Sequence, residues 1–242
     1  MTPDNLLAMT PEDLAARILY RDGLILVIDK PAGIAVHRGP KGGANLEALF
    51  VGLRFGLPRD PALAHRLDRD TSGCLVLGRH RKALAKLGLL FKQGKISKTY
   101  LAVVEGAPPE ESGSIDLALG RLDATRGWWM QVDPSGQPAL THWRVLGRGD
   151  GLALLELKPE TGRTHQLRVH CAAMGWPILG DAVYGSGRNP GAPPMHLHAR
   201  EVSIPLSANK PTITATAPLP AHMQVRASAC GFAAEPPLIT NS

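Results

Sequence analysis

Apolar residues in this chain come in short runs separated by Gly, Pro, Asp and Asn, a pattern of strands and turns with only a few helices between them. Thr10-Pro11-Glu12-Asp13 offers an N-cap residue, a proline at the first helical position and acids in the first turn, so a short helix is predicted there. Two apolar runs, Ala16 to Tyr20 and Leu24 to Ile28, flank Arg21-Asp22-Gly23 and predict a hairpin. Asp29-Lys30-Pro31-Ala32-Gly33 should break the second strand, Arg38 to Gly43 reads as a flexible basic loop, and Asn45 to Leu53 reads as helical. Cys74 to Arg79 looks like a buried strand, and Lys82 to Phe91 a helix with Leu84, Leu87 and Phe91 on one side. Lys98 to Val104 alternates as a strand, and the polar stretch Pro108 to Ser114 suggests a seam between two halves of the fold. Trp128 to Val132, Ala139 to Leu146 and Leu152 to Leu157 are spaced like an antiparallel meander. Thr164 can cap a helix from His165 to Met174, with Leu167, Cys171 and Met174 on its apolar stripe and Arg168 off it. Met195 to Pro205 and Thr212 to Ala217 are late strands, followed by a helix after Pro220 and a Pro-rich tail expected to be loose.

These elements predict an α+β protein with a largely antiparallel sheet, and 242 residues with 44% apolar content suffice for a substantial core. No apolar run approaches the roughly 20 residues needed to cross a bilayer, and Met1 to Asp13 is acidic without a hydrophobic signal segment. A cytoplasmic protein without membrane attachment is expected. Cys74, Cys171 and Cys230 are odd in number and far apart, which suits small core residues in a reducing compartment better than disulfides or a zinc ribbon. The net charge of +6 favours a polyanionic partner, and the charge is clustered: between Asp70 and Glu105 there is no acidic residue, while Arg79, Arg81, Lys82, Lys86, Lys92, Lys95 and Lys98 lie inside that window.

Candidate chemistry centres on His65-Arg66-Leu67-Asp68-Arg69-Asp70-Thr71-Ser72-Gly73. Asp68 stands between two arginines at the mouth of a core strand, where positive neighbours favour its anionic form. A loop salt bridge accounts for such a cluster equally well when it is taken alone.

Three further blocks accompany it: Asp29-Lys30-Pro31-x-Gly33, Lys98-x-Tyr100-x-Ala102-x-Val104-x-Gly106, and Gly162-Arg163-Thr164-His165-Gln166-Leu167-Arg168-Val169-His170. The last continues through Gly175-x-Pro177-Ile178-x-Gly180-Asp181-x-x-Tyr184-Gly185 and Leu197-His198-Ala199. Together, over roughly residues 18 to 206, they resemble the RluA-type family of RNA pseudouridine synthases. The resemblance implies an isomerase that detaches a uracil from ribose at N1 and rejoins it at C5, within RNA and without cofactor or metal. It implies a bent sheet with an RNA cleft between two halves, with residues 18–220 as the catalytic domain, 1–17 as a helical extension and 221–242 as a closing helix and tail.

By the same resemblance Asp68 is the catalytic carboxylate, Tyr100 lies against the uracil ring, and Arg168 pairs with the carboxylate. Arg66 fills the stack left by a flipped-out uridine, a role that suits a flat, hydrogen-bonding guanidinium. His65, Lys82 and Lys86 join the RNA-binding surface, and Arg163 and His165 meet phosphate or brace the loop at the helix N-terminus. The expected partner is transfer or ribosomal RNA, bound by a monomer. Many relatives carry an additional N-terminal RNA-binding module, and the roughly 17 residues before the first strand leave no room for one. After Leu197-His198-Ala199 the sequence lacks the aromatic and His-Pro features often seen in the family. The histidines lack an accompanying carboxylate or cysteine at ligand spacing, and Asp181 reads as a structural loop residue. Two other readings fit parts of the pattern: an N-glycosidic hydrolase using Asp68 and Asp70 as a carboxylate pair, and an RNA-binding module without chemistry.

Overall fold

The structure is a computed structural model and describes residues 9–39, 42–123, 129–207 and 209–233. Pro40 and Lys41 of the basic loop, Trp128, the first eight residues of the N-terminal extension and the Pro-rich tail lie outside the described residues. Two compact units are formed, Met1–Ser97 with Ala199–Pro218, and Lys98–His198 with Leu219–Ser242. The chain therefore changes unit after Ser97, within the strand that contains Ala199, and after Pro218. The expected seam at Pro108 to Ser114 is no boundary, because Ser112–Asp116 is a strand inside the second unit.

The first unit opens with helix α1 (Pro11–Ala15), closed by a reciprocal capping box between Thr10 and Asp13. Strands β1 (Ile18–Arg21) and β2 (Ile25–Lys30) pair antiparallel through the predicted hairpin. Its turn is fixed by Asp22, whose Oδ1 accepts the amides of Leu24 at 2.7 Å and Ile25 at 2.8 Å. The segment Leu46–Leu53 is a 3-10 helix capped by Asn45. A two-residue β3 (Ala62–Leu63) precedes β4 (Ser72–Gly78), which pairs antiparallel with both β2 and β3 and is buried throughout. Helix α2 (Arg81–Lys92) follows, with His80 as its cap. It buries Ala83, Leu87 and Leu90, so the stripe falls one position away from the predicted Leu84 and Phe91, which are only partly covered. Leu87 and Leu90 pack with Ile25, Val27, Cys74 and Val76 of β2 and β4.

The second unit is built on β5 (Ser97–Glu105), β6 (Ser112–Asp116), β9 (Leu140–Gly149) and β10 (Leu152–Pro159), in the antiparallel order β5-β10-β9-β6. Of the expected three-strand meander, β9 and β10 pair antiparallel, but the first strand, β8 (Met130–Val132), pairs instead with β7 (Leu119–Arg121) in a separate two-stranded sheet. Alternation along β5 serves two cores. Ala102 and Val104 face helix α3 (Gln166–Ala173) through Leu167 and Cys171, whereas Leu101 and Val103 face the last helix, Ala221–Ala229, through Met223 and Ala227. Between these elements the chain runs through β11 (Leu197–Ile204), which belongs to the first unit from Ala199 onward, and its antiparallel partner β12 (Ile213–Thr216) in the first unit; the last helix is α4.

All three cysteines are free and buried as expected. Cys74 lies against the carbonyls of Ala215 and Arg200, and burial pushes its thiol up to about 12. The thiols of Cys171 and Cys230 are pushed up for the same reason. No helix among the described residues is long and apolar enough to cross a membrane.

Candidate active site

In the first unit the Asp68 motif forms the turn into β4. Leu67 is buried beneath it, Asp68 is half-buried, and Arg66 and Arg69 project into solvent. The turn closes on a hydrogen bond from the Thr71 amide to the Asp68 carbonyl at 3.2 Å. His65 anchors its start: Nε2 accepts the Val76 amide at 3.0 Å, which leaves the proton on Nδ1 in the neutral ring, and the imidazole lies 4.8 Å from the Phe91 ring. At its end, Gly73 has φ +104°, and a Cβ there would sit 2.2 Å from the Ala199 carbonyl oxygen. Only glycine fits a left-handed position pressed so closely on another backbone. Asp70 is engaged by Arg69 in a two-pronged contact at 3.0 and 3.1 Å.

Beneath this turn lies a residue that sequence reasoning missed. Strand β2 does not break at Asp29 but runs through Lys30, whose side chain is wholly buried. Its ammonium donates to the carbonyls of Pro31 at 2.8 Å, Ile34 at 2.8 Å and Arg69 at 2.9 Å, one acceptor for each proton. The amide of Gly33, held at φ +91°, donates to the same Arg69 carbonyl at 2.9 Å. Burial pushes the ammonium down to about 7, against the pull of Asp70, Asp68 and Asp29. Asp29 itself pairs with Arg17 at 2.6 Å.

In the second unit Tyr100 is half-buried on the face of β5 that also carries Ala102 and Val104, opposite Leu157 of β10. Arg168 is 6% exposed on α3. Its Nε and Nη2 donate to the two oxygens of Asp181 at 2.7 and 2.8 Å, and the Tyr184 ring lies 5.2 Å from its guanidinium carbon. Burial acts to raise the Asp181 carboxyl, but the Arg168 bonds and charge and the amides of Val183 and Tyr184 outweigh it, and the net shift is downward. Asp181 thus holds the Val183–Tyr184 turn through its amides and binds Arg168 as well.

The loop before α3 is tied by Gln166, another residue that sequence reasoning passed over. Its Oε1 accepts Thr161 Oγ1 at 2.7 Å and the Arg163 amide at 3.0 Å, while Nε2 donates to the Leu140 carbonyl and Thr141 Oγ1, both at 3.0 Å. Thr164 does not cap the helix. His165 takes the cap position in the left-handed region at φ +54°, and its Nδ1 lies 2.8 Å from the Tyr184 hydroxyl. Arg163 Nε donates to the Pro138 carbonyl at 3.0 Å. Met174, expected on the buried stripe, is 45% exposed, and the buried surface of α3 instead spans Gln166 to Cys171. Lys98 donates to the Thr161 carbonyl at 3.3 Å, and burial lowers its ammonium. Lys82 and Lys86 are exposed on α2, a helix with no acidic residue.

Two of the buried histidines bond within the fold: His170 bridges Thr141 and the Leu117 carbonyl, and His196 Nδ1 lies 2.7 Å from the Pro194 carbonyl while its ring packs on His222 with centroids 5.4 Å apart. Among the described residues no group of three or more His, Cys, Asp or Glu is placed to hold a metal ion.

The family model for RNA pseudouridylate synthase matches residues 24–173, a stretch that contains Lys30, Asp68, Tyr100 and Arg168. The chain belongs to that family. It is an isomerase acting on uridine in RNA. An uncharacterized RNA pseudouridine synthase of Zymomonas mobilis is 46% identical over 209 residues, covering 86% of this chain and 95% of that protein. The ribosomal large subunit pseudouridine synthase D of Pseudomonas aeruginosa is 40% identical over 178 residues, 72% of this chain and 55% of that protein. Among solved structures, the human RNA pseudouridylate synthase domain containing 4 matches with a TM-score of 0.78 at 26% identity, covering 97% of this synthase and all of that chain. Its domain containing 1 counterpart matches with 0.72 at 30%, covering 94% and 98%. The mixed α+β architecture with mainly antiparallel pairing is therefore the pseudouridine synthase fold.

Proposed function

We propose that this synthase converts a uridine of ribosomal or transfer RNA to pseudouridine, with Asp68 as its catalytic carboxylate. The observation that carries the assignment is the construction of the Asp68 turn. Leu67, Thr71 and the Arg69 carbonyl are each fixed, while Asp68 keeps part of its surface in solvent beside exposed Arg66. A reactive group held on a rigid support and left accessible is what catalysis on a polymer requires. The carboxylate acts at the sugar carbon of the target nucleoside, as a nucleophile or as a base on a sugar proton. A stacked uridine must first be turned out of its helix or loop, and Arg66 is proposed to occupy the vacated stack. Tyr100 is proposed to offer the uracil a flat apolar face with a polar tip, and Arg168 to favour the anionic form of the carboxylate.

Exposed Lys82 and Lys86 are assigned to phosphate contacts. His65, Arg163 and His165 are read chiefly as braces, because their ring or guanidinium nitrogens meet Val76, Pro138 and Tyr184. Ribosomal RNA is supported as a substrate by the name of the Pseudomonas relative. The three unpaired, buried cysteines fit a cytoplasmic enzyme. The hydrolase reading is disfavoured because Asp70, its second carboxylate, is taken up by Arg69.

The test compares wild type with Asp68→Asn on unmodified ribosomal and transfer RNA. Wild type should form pseudouridine with no free uracil, and the variant should bind the same RNA with no product. Product from the variant would remove Asp68 from the chemistry, and free uracil from wild type would restore the hydrolase. Mapping pseudouridines in total RNA from cells with and without the protein names the target.

A further inference from the structure

Of the described Phe, Tyr and Trp side chains only Phe55 is exposed, at 41%, and its backbone lies in the left-handed region at φ +44°. A bulky residue there is an outlier, and strain of this kind gathers at binding sites, where the surrounding structure imposes it. Here that structure is a turn from Arg54 to Leu57, closed by a hydrogen bond from the Leu57 amide to the Arg54 carbonyl at 3.1 Å. Phe55 and Gly56 at its centre both have positive φ, the type I′ form that ordinarily takes Asn, Asp or Gly. Arg79 ties the turn to the β1–β2 hairpin, with Nη2 donating to the Arg54 carbonyl at 3.1 Å and Nη1 to the Asp22 carbonyl at 2.6 Å. From the hairpin side, the guanidinium carbon of Arg21 sits 4.2 Å from the centroid of the Phe55 ring. A ring left this far in solvent does little for the core, but with a cation held against it the ring forms a ready stacking face.

The surroundings are basic. Arg54 and Arg59 are exposed in the loop that carries Phe55, and Arg81 at the start of α2, while Asp60 is paired with Arg54, and Asp22 Oδ1 is occupied by the Leu24 and Ile25 amides. Ile25 pairs with Gly78 and Lys30 with Gly73, so this end of the ladder lies opposite the Asp68 turn, about 20 Å away at the usual rise of a strand. An aromatic ring with a guanidinium against it, set among arginines, has the chemistry to take an unpaired nucleotide. Ring and guanidinium stack on the base, and the arginines meet phosphate. We propose that Phe55 and Arg21 form a second RNA-binding site, which holds an unpaired base of the substrate several nucleotides from the target uridine. Recognition thereby extends beyond the nucleotide that is modified. The inference goes beyond the assignment of Asp68 and requires only that the substrate be RNA.

The test measures the dissociation constant for an unmodified transcript carrying the mapped uridine, and for a version trimmed to a short hairpin around it. Phe55→Asn removes the ring but keeps a residue that tolerates positive φ, whereas Phe55→Trp keeps a stacking face under the same strain. The Asn variant should bind the full transcript about tenfold more weakly with an unchanged salt slope, and the Trp variant should stay within roughly twofold of wild type. On the trimmed hairpin all three should bind alike. Equal losses in both variants would trace the effect to the turn and overturn the proposal. A loss of the same size on the trimmed hairpin would place the contact at the target uridine and overturn it as well. So would wild-type affinity in the Asn variant; if its sedimentation changed, the patch would be a contact with a second copy of the chain. Irradiation of the wild-type complex with RNA containing 5-iodocytidine should attach a nucleotide to the tryptic peptide that contains Phe55, and adducts confined to other peptides would also overturn the proposal. Conversion by wild type and Asp68→Asn tests the catalytic assignment on its own, because these binding measurements need no turnover.

Discussion

In the unit that carries Asp68 the buried support is a cation, Lys30, and it grips main-chain carbonyls. In the unit that carries Arg168 the buried support is an anion, Asp181, and it grips the guanidinium itself together with two amides. Each unit thus places beneath its charged candidate residue a partner of opposite sign, but the coupling differs. Lys30 acts through the backbone one residue away, so the carboxylate stays half-exposed. Asp181 binds its partner's side chain directly, and the arginine is almost out of solvent.

The sharpest way to break the first arrangement is steric. Gly73→Ala places a methyl group against the Ala199 backbone in a left-handed conformation and should cost about 2 to 5 kcal/mol, read from the urea midpoint, with activity falling in parallel. A variant of wild-type stability would show that the start of β4 can move. The second arrangement breaks through charge. Asp181→Asn leaves Arg168 buried with a neutral partner and should cost roughly 3 kcal/mol, the scale for losing one member of a buried pair. Its rate constant should drop more than its RNA affinity, and equal losses in both would argue that Arg168 serves binding.

Acid should loosen the second unit before the first. His196 titrates at about 4 in the fold, because burial disfavours its charged form, against 6.5 for an ordinary imidazole. The unfolded chain therefore binds the extra proton between those values, so this contribution to stability is complete above pH 6.5 and is lost as pH falls towards 4. His170 and His222 shift in the same direction. Urea unfolding across this range should show the loss, and His196→Gln should make it shallower. The smallest effect belongs to the surface: replacing Lys82 or Lys86 by Gln should weaken RNA binding modestly and flatten its dependence on log salt by about 0.7 to 0.9 for each phosphate contact removed. An unaltered slope would move the RNA track off α2.

Much of this was legible from local chemistry. Thr10 with Asp13, Asp22-Gly23 and Asn45 mark caps and turns because their side chains bond amides two or three residues away. Alternation marks β9, whose buried Thr141, Trp143 and Val145 stand between less covered neighbours. What was not legible depends on distant acceptors. Lys30 looked like the end of a strand because Asp-Lys-Pro is polar, and only the return of Arg69 makes a sealed ammonium possible. Met174 fits a helical stripe by spacing, but α3 packs around Arg168 and Gln166, polar residues whose partners lie in other elements. The seam expected at Pro108 to Ser114 failed for a similar reason: a turn-rich stretch also forms an edge strand when Arg144 and Trp143 of β9 supply the ladder.

The depth of the three thiols makes the molecule its own recorder of opening. A sealed sulfhydryl held in its protonated form reacts with an alkylating reagent only when the surrounding packing gives way, so the labelling rate measures how often that happens. Because Cys74 reports one unit and Cys171 the other, mass spectrometry of labelled peptides would show which breathes more readily, and whether holding RNA quiets both.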